Sequence, residues 1–122
     1  MGHMNSAIHG TAYAELLEEI PALARARERA ALERAIELLQ IAEAKGPRSH
    51  EEVEALQYLN RLWAILIEDL ANPDNDLPRT LRANLISIGI WVLREADRIR
   101  AEEAGSYSSI IEVMGSIAKG LS

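Results

Sequence analysis

"RLWAILIEDLANPDNDLPRTLRANLISIGIWVLREADRI", residues 61–99, sets two strongly apolar runs on either side of a stretch that holds two prolines, two asparagines and two aspartates. Stepped at 100° per residue, Tyr58, Leu59, Leu62, Trp63, Ile65, Leu66, Ile67 and Leu70 cover half or more of a helix circumference before the break. After it, Leu81, Leu85, Ile88, Val92, Ala96 and Ile99 line one helix face, with Ile86, Ile90 and Leu93 broadening it. Arcs this wide imply burial on two sides. The reading is therefore a central antiparallel helix pair, about 49–71 and 78–104. In the connection, Asn72 stops the first helix, Pro73 prevents its continuation, Asn75 or Asp76 caps the second, and Pro78 suits its first turn.

The flanks continue the all-α pattern. "YAELLEEI", 13–20, stops at Pro21, which can open a helix of about 21–45 whose alanine-rich arc ends at Gly46-Pro47. Ser49 and Glu52 form a capping box for the next helix. A short last helix, about 106–119, opens at a serine cap and carries Ile110, Ile111, Met114, Ile117 and Ala118 at core spacing. The expected fold is a small up-down four-helix bundle. Its organisation is expected to be a cloning remnant at 1–4, a partly helical arm at 5–20, and one helical domain over 21–122.

At 122 residues the chain suffices for one core, burying roughly two-thirds of the surface an unfolded chain exposes. A formal charge of -6, with arginines spread among glutamates, lacks the basic footprint of a nucleic-acid binder. The absence of cysteine, of a signal-peptide pattern and of a long apolar run points to a cytoplasmic protein without membrane insertion. His50, the one histidine beyond the first ten residues, reads as helix-start decoration rather than a di-iron ligand. No nucleophile elbow, P-loop or dinucleotide fingerprint is present, and adjacent glutamates on a helix point about 100° apart. Asp74, Asn75 and Asp76 offer oxygen donors, but neither the glycine nor the spacing of a calcium loop accompanies them. The chain is expected to be non-enzymatic and to hold no metal or cofactor.

Several residues stand out structurally. Asp69 and Arg82, charges on apolar arcs at the two ends of the loop, are expected to face each other or the loop carbonyls as a partly buried clasp. Gly89, mid-helix on the apolar side, is expected to admit a close helix backbone, and Trp63 to lie in the core. Trp91 falls on the polar strip with Ser87, Arg94 and Arg98. It is either covered by helix one or the N-terminal segment, or it anchors a partner. Leu16, Leu17 and Ile20 of the arm form a second candidate partner surface.

Residues 61–99 also resemble the central block of the FlaF family of bacterial flagellar proteins. The likeness lies in the Leu-Trp pair, the acidic helix end, the N-P-D/E-N-x-L-P loop, L-R-x-x-L-I-S-I-G and W-V-L-R. "ALERAIELLQIAEA" and "IIEVMGSIAKGL" extend it to both flanks, while "NSAIHGTA", 5–12, departs from the pattern. The resemblance implies a cytoplasmic protein acting after transcription on flagellin synthesis and secretion, in opposition to or together with a second regulator, FlbT. The leading expectation is a secretion chaperone that binds flagellin. The rivals are a translational regulator acting on flagellin messenger RNA or through FlbT, and a structural module of the assembly machinery.

Overall fold

A computed structural model of the chain describes residues 6–103 and 105–121, with side chains from Ala24 onward. It contains α1 (Ser6–Lys45), α2 (His50–Ala71), α3 (Arg79–Glu102) and α4 (Ser108–Gly120). The described residues contain no strand, in keeping with the expected all-α bundle. Each helix packs on its neighbour in sequence, and α4 returns to α1. The backbones of the diagonal pairs, α1 with α3 and α2 with α4, do not approach. Arg82 near the start of α3 reaches the carbonyl of Leu70 near the end of α2, and Glu43 near the end of α1 meets the amide of Tyr107 before α4. Successive helices therefore run up and down around a ring.

Within this ring α2 and α3 pack as the expected antiparallel pair, with α1 and the short α4 beside them. The widest interface is α1 with α2, and α1 also packs extensively on α4. Small side chains explain the preference: Ala35, Ala42 and Ala55 are all buried, so the two backbones close on each other while Leu32, Leu39 and Leu59 fill the space beside them.

The expected break at Pro21 is corrected, because α1 runs from Ser6 through it without interruption. Proline removes one amide donor, but its fixed φ is helical, and the Leu, Glu and Ala residues around it are strong helix formers.

The α1/α2 turn follows local chemistry closely. Gly46 takes φ +96° and donates its amide to the Ala42 carbonyl, ending α1 in the left-handed conformation that glycine permits. Ser49 Oγ accepts from the Glu52 amide at 3.0 Å, the first half of the capping box. The second half differs from expectation: Glu52 Oε1 accepts from the amide of Arg48, not Ser49. Its other oxygen accepts from the Tyr107 hydroxyl at 2.7 Å. A helix cap and a tertiary contact thus share one buried carboxylate.

Helix four starts later than expected, at Ser108. Ser106 still serves the entry by accepting from the Ser108 amide, and the Glu43 carboxylate of α1 accepts from both Ser106 Oγ and the Tyr107 amide. An anionic group at a helix start satisfies orphan donors and suits the helix dipole.

Trp63 is the hub of the core. It is 1% exposed, and its indole N–H donates to Met114 Sδ at 3.4 Å, a weak acceptor that gives the buried donor a partner. The six-membered ring of the indole lies against Gly89, where an added Cβ would fall 2.5 Å from Trp63 Cε3 and 3.1 Å from Ile67 Cδ1. The glycine therefore admits an aromatic side chain, not the helix backbone that was expected. Alanine at this position gains about 1 kcal/mol of helix propensity but forces a fully buried ring to move. Gly89→Ala is expected to be destabilising overall by about 1–2 kcal/mol, a fall in melting temperature of roughly 4–8 °C by calorimetry. An unchanged or higher melting temperature would show that the indole has room to shift.

Candidate functional site

The α2/α3 loop shapes one end of the bundle. Asn72 caps α2 with its amide on the Asp69 carbonyl, and the Asn75 amide donates to the Asn72 carbonyl, closing a β-turn with Pro73 at its second position. Asn72 Oδ1 accepts from the Asp74 amide, and Asn75 Oδ1 from the Leu77 amide. Asn75 stays within the loop, so the expected side-chain cap on α3 is not made; Pro78 occupies the cap position.

Arg82 clasps this loop through its carbonyls. Its Nε donates to Leu77 O at 3.1 Å, and its Nη1 to Leu70 O and Asn72 O at 3.3 and 3.2 Å. The direct Asp69–Arg82 pair is not formed; Asp69 is exposed and accepts from Asn75 Nδ2 at 3.2 Å. Five donors in a rigid fork suit a set of converging carbonyls better than one carboxylate does.

Behind the loop the bundle is open. α4 has 13 residues against 24 in α3, and the two helices share only a small contact. A cleft of about 290 Å³ results, with Trp63 and Leu66 of α2, Leu32 of α1, Leu85 of α3, Ile117 of α4 and Leu121 just after it among its lining. Leu77, in the lining, and Leu81, one turn before Leu85 on the same helix face, remain 40% and 43% exposed. The mouth is acidic, with Glu28, Asp69 and Asp76 against Arg25. Burial, and then the Asp69 charge, hold the Glu28 carboxyl above the usual range, with Arg25 opposing. An apolar interior beside an unbalanced negative rim is chemically suited to an aliphatic side chain next to a cation.

The strip expected on α3 exists as a surface. Trp91 is 40% exposed, and Ser87, Arg94 and Arg98 are exposed with it. Arg98 is engaged by its own helix, through Glu95 and Glu102. Leu16, Leu17 and Ile20 lie outside the residues whose side chains are described.

Sequence reasoning missed the cleft itself. Its one signal was the shortness of the last helix, which cannot cover all of α3. Ile65 and Ile90, read as part of the apolar arcs, are 61% and 40% exposed instead. Among the described residues no group of His, Cys, Asp or Glu is arranged to hold a metal ion, and no helix is long and apolar enough to cross a membrane.

Fold and cleft together define a small up-down helical bundle with an open apolar seat and an exposed tryptophan. The family model for flagellar protein FlaF matches residues 9–121, nearly the whole length, and the chain belongs to that family. Neither a curated protein nor a solved structure matches it significantly.

Proposed function

We propose that this FlaF-family chain works in the cytoplasm as a chaperone for flagellin, binding its helices and keeping them unassembled until export. The role needs no catalysis, metal or cofactor. The observation that carries the reading is the set of large apolar side chains left open to solvent: Trp91 on α3, and Leu77 and Leu81 beside the cleft. A tryptophan on a polar strip and leucines at the edge of an apolar cleft are surfaces that a partner helix buries. Family membership supplies the flagellar setting. The charge of -6 favours a protein partner over direct contact with messenger RNA.

Co-purification with flagellin, followed by calorimetry, tests the reading. Trp91→Ala is expected to weaken flagellin binding by about tenfold while helix content stays unchanged. If flagellin does not bind and the leader of its messenger RNA binds tightly at physiological salt, the chain is a translational regulator instead. Binding to FlbT alone would place it in the same regulatory class.

A further inference from the structure

We infer that the cleft at the open end of the bundle, bounded by α1, α3 and the end of α4 over a floor of α2, seats a single amphipathic partner helix of about three to four turns. Its aliphatic side chains lie on Leu81, Leu85 and Ile88, and its lysine or arginine residues lie at the end lined by Glu28, Asp69 and Asp76. This rests on the chaperone reading and specifies the part of the partner that is bound.

The missing packing comes first. Three sides of the ring are well joined, while α3 and α4 hardly meet. At 1.5 Å per residue, α4 is about 20 Å long and α3 about 36 Å, so much of one side of α3 has no helix over it. Leu81, Leu85 and Ile88 stand at the four-and-three spacing of one face on this side. Leu81 is exposed, and the other two are only half-buried. Ile117 of α4 and Leu121 just after it face the cleft, also half-buried, over a floor of Trp63. Rows of aliphatic side chains on two helices with an aromatic floor form a groove that takes one more helix by ridge-and-groove packing.

Charge then selects the occupant and its direction. Three carboxylates against one guanidinium line the mouth. Burial first, and then the neighbouring Asp69 charge, make the ionised Glu28 carboxylate costly at this mouth. A cation brought in by the occupant relieves that cost. A second copy of this chain, with a net charge of -6, is a poor source of it because the two acidic surfaces repel.

The test uses the full chain, purified monomeric flagellin, and overlapping ~25-residue peptides tiled through flagellin, in calorimetry at several salt concentrations. Leu81→Lys is expected to weaken binding about tenfold or more, with an unchanged melting temperature because the side chain is exposed. Asp76→Lys is expected to weaken binding and flatten its salt dependence. Ile65→Lys, on the outer face of α2, is expected to change nothing. The peptides that bind should carry leucine-type residues at helical spacing with basic residues at one end. If flagellin binds wild type and Leu81→Lys equally, the groove assignment is overturned and the chaperone reading stands. If wild type binds no flagellin, the chaperone reading falls and the assignment with it. If light scattering shows a wild-type dimer that Leu81→Lys dissociates, the groove is filled by a second copy and the inference is overturned.

Discussion

Trp63→Ala is expected to lower the unfolding free energy by about 3–5 kcal/mol, the largest single-residue effect in the protein. The indole is fully buried, lies against Gly89 of α3 and gives its N–H to Met114 of α4, so three of the four helices meet on it. Removing it takes away the apolar transfer term and leaves a void. That void would open beside the existing cleft, since Trp63 lines it. Urea denaturation should show a lower midpoint with little change in slope, and Trp63→Phe should recover part of the loss. The remaining emission of Trp63→Ala comes from Trp91 alone and should resemble that of a partly exposed indole. A loss below about 1.5 kcal/mol would mean that the neighbouring side chains collapse into the space.

Glu52→Ala is expected to cost about 2–4 kcal/mol, because it removes acceptors from the Arg48 amide and from the buried Tyr107 hydroxyl at once. Tyr107→Phe removes only the hydroxyl and should cost less. A double-mutant cycle of the two should therefore give clear coupling, and a coupling near zero would show that the contact contributes nothing net. The same contact predicts a pH dependence. Burial first, and then the hydrogen bond to Glu52, push the Tyr107 hydroxyl well above its ordinary value of 10.0. The native state thus favours the protonated phenol. The resulting stability is fully present below about pH 10 and is lost as pH rises beyond it, because the unfolded chain ionises first. Thermal unfolding between about pH 9 and 11 should show this extra alkaline loss in wild type and not in Tyr107→Phe.

Much of this was legible from local signals. The apolar periods located α2, α3 and most of α4, and the Gly46-Pro47 and Asn72-Pro73 stops fell where α1 and α2 end. Ser49 and Asn72 act as caps, as residues of their type do. What a period cannot tell is which neighbour covers an apolar face. Ile65 and Leu59 both fall on the apolar arc of α2, yet one is exposed and the other fully buried, because only Leu59 points into the ring. Contacts between distant positions were equally hidden: Glu43 reaches residues 106 and 107, and Glu52 reaches Tyr107. Glu43 does not differ in sequence from its solvated neighbours, and the capping box marked Glu52 only as a local acceptor. Arg82 was legible in part, since its apolar setting marked it as a clasp while its choice of carbonyls over Asp69 depended on the folded loop. Pro21 misled because proline usually limits a helix, whereas strong helix formers on both sides outweigh one missing donor.

The ring order of the helices bears on how the protein comes apart. Three of its interfaces join consecutive helices across short turns, while α1 with α4 is the one that joins the two ends of the sequence. Loop-closure entropy therefore concentrates in that last seam. α4 is also the shortest helix and gains little from α3. Its detachment is the cheapest sub-global opening available, and amide exchange should be fastest there and slowest where α1 meets α2. When α4 lifts away, Met114 leaves the indole of Trp63 and the floor of the groove is bared. The groove and the weakest foldon of the protein are thus one place, and a helix that binds there would slow exchange in a segment much larger than its own footprint.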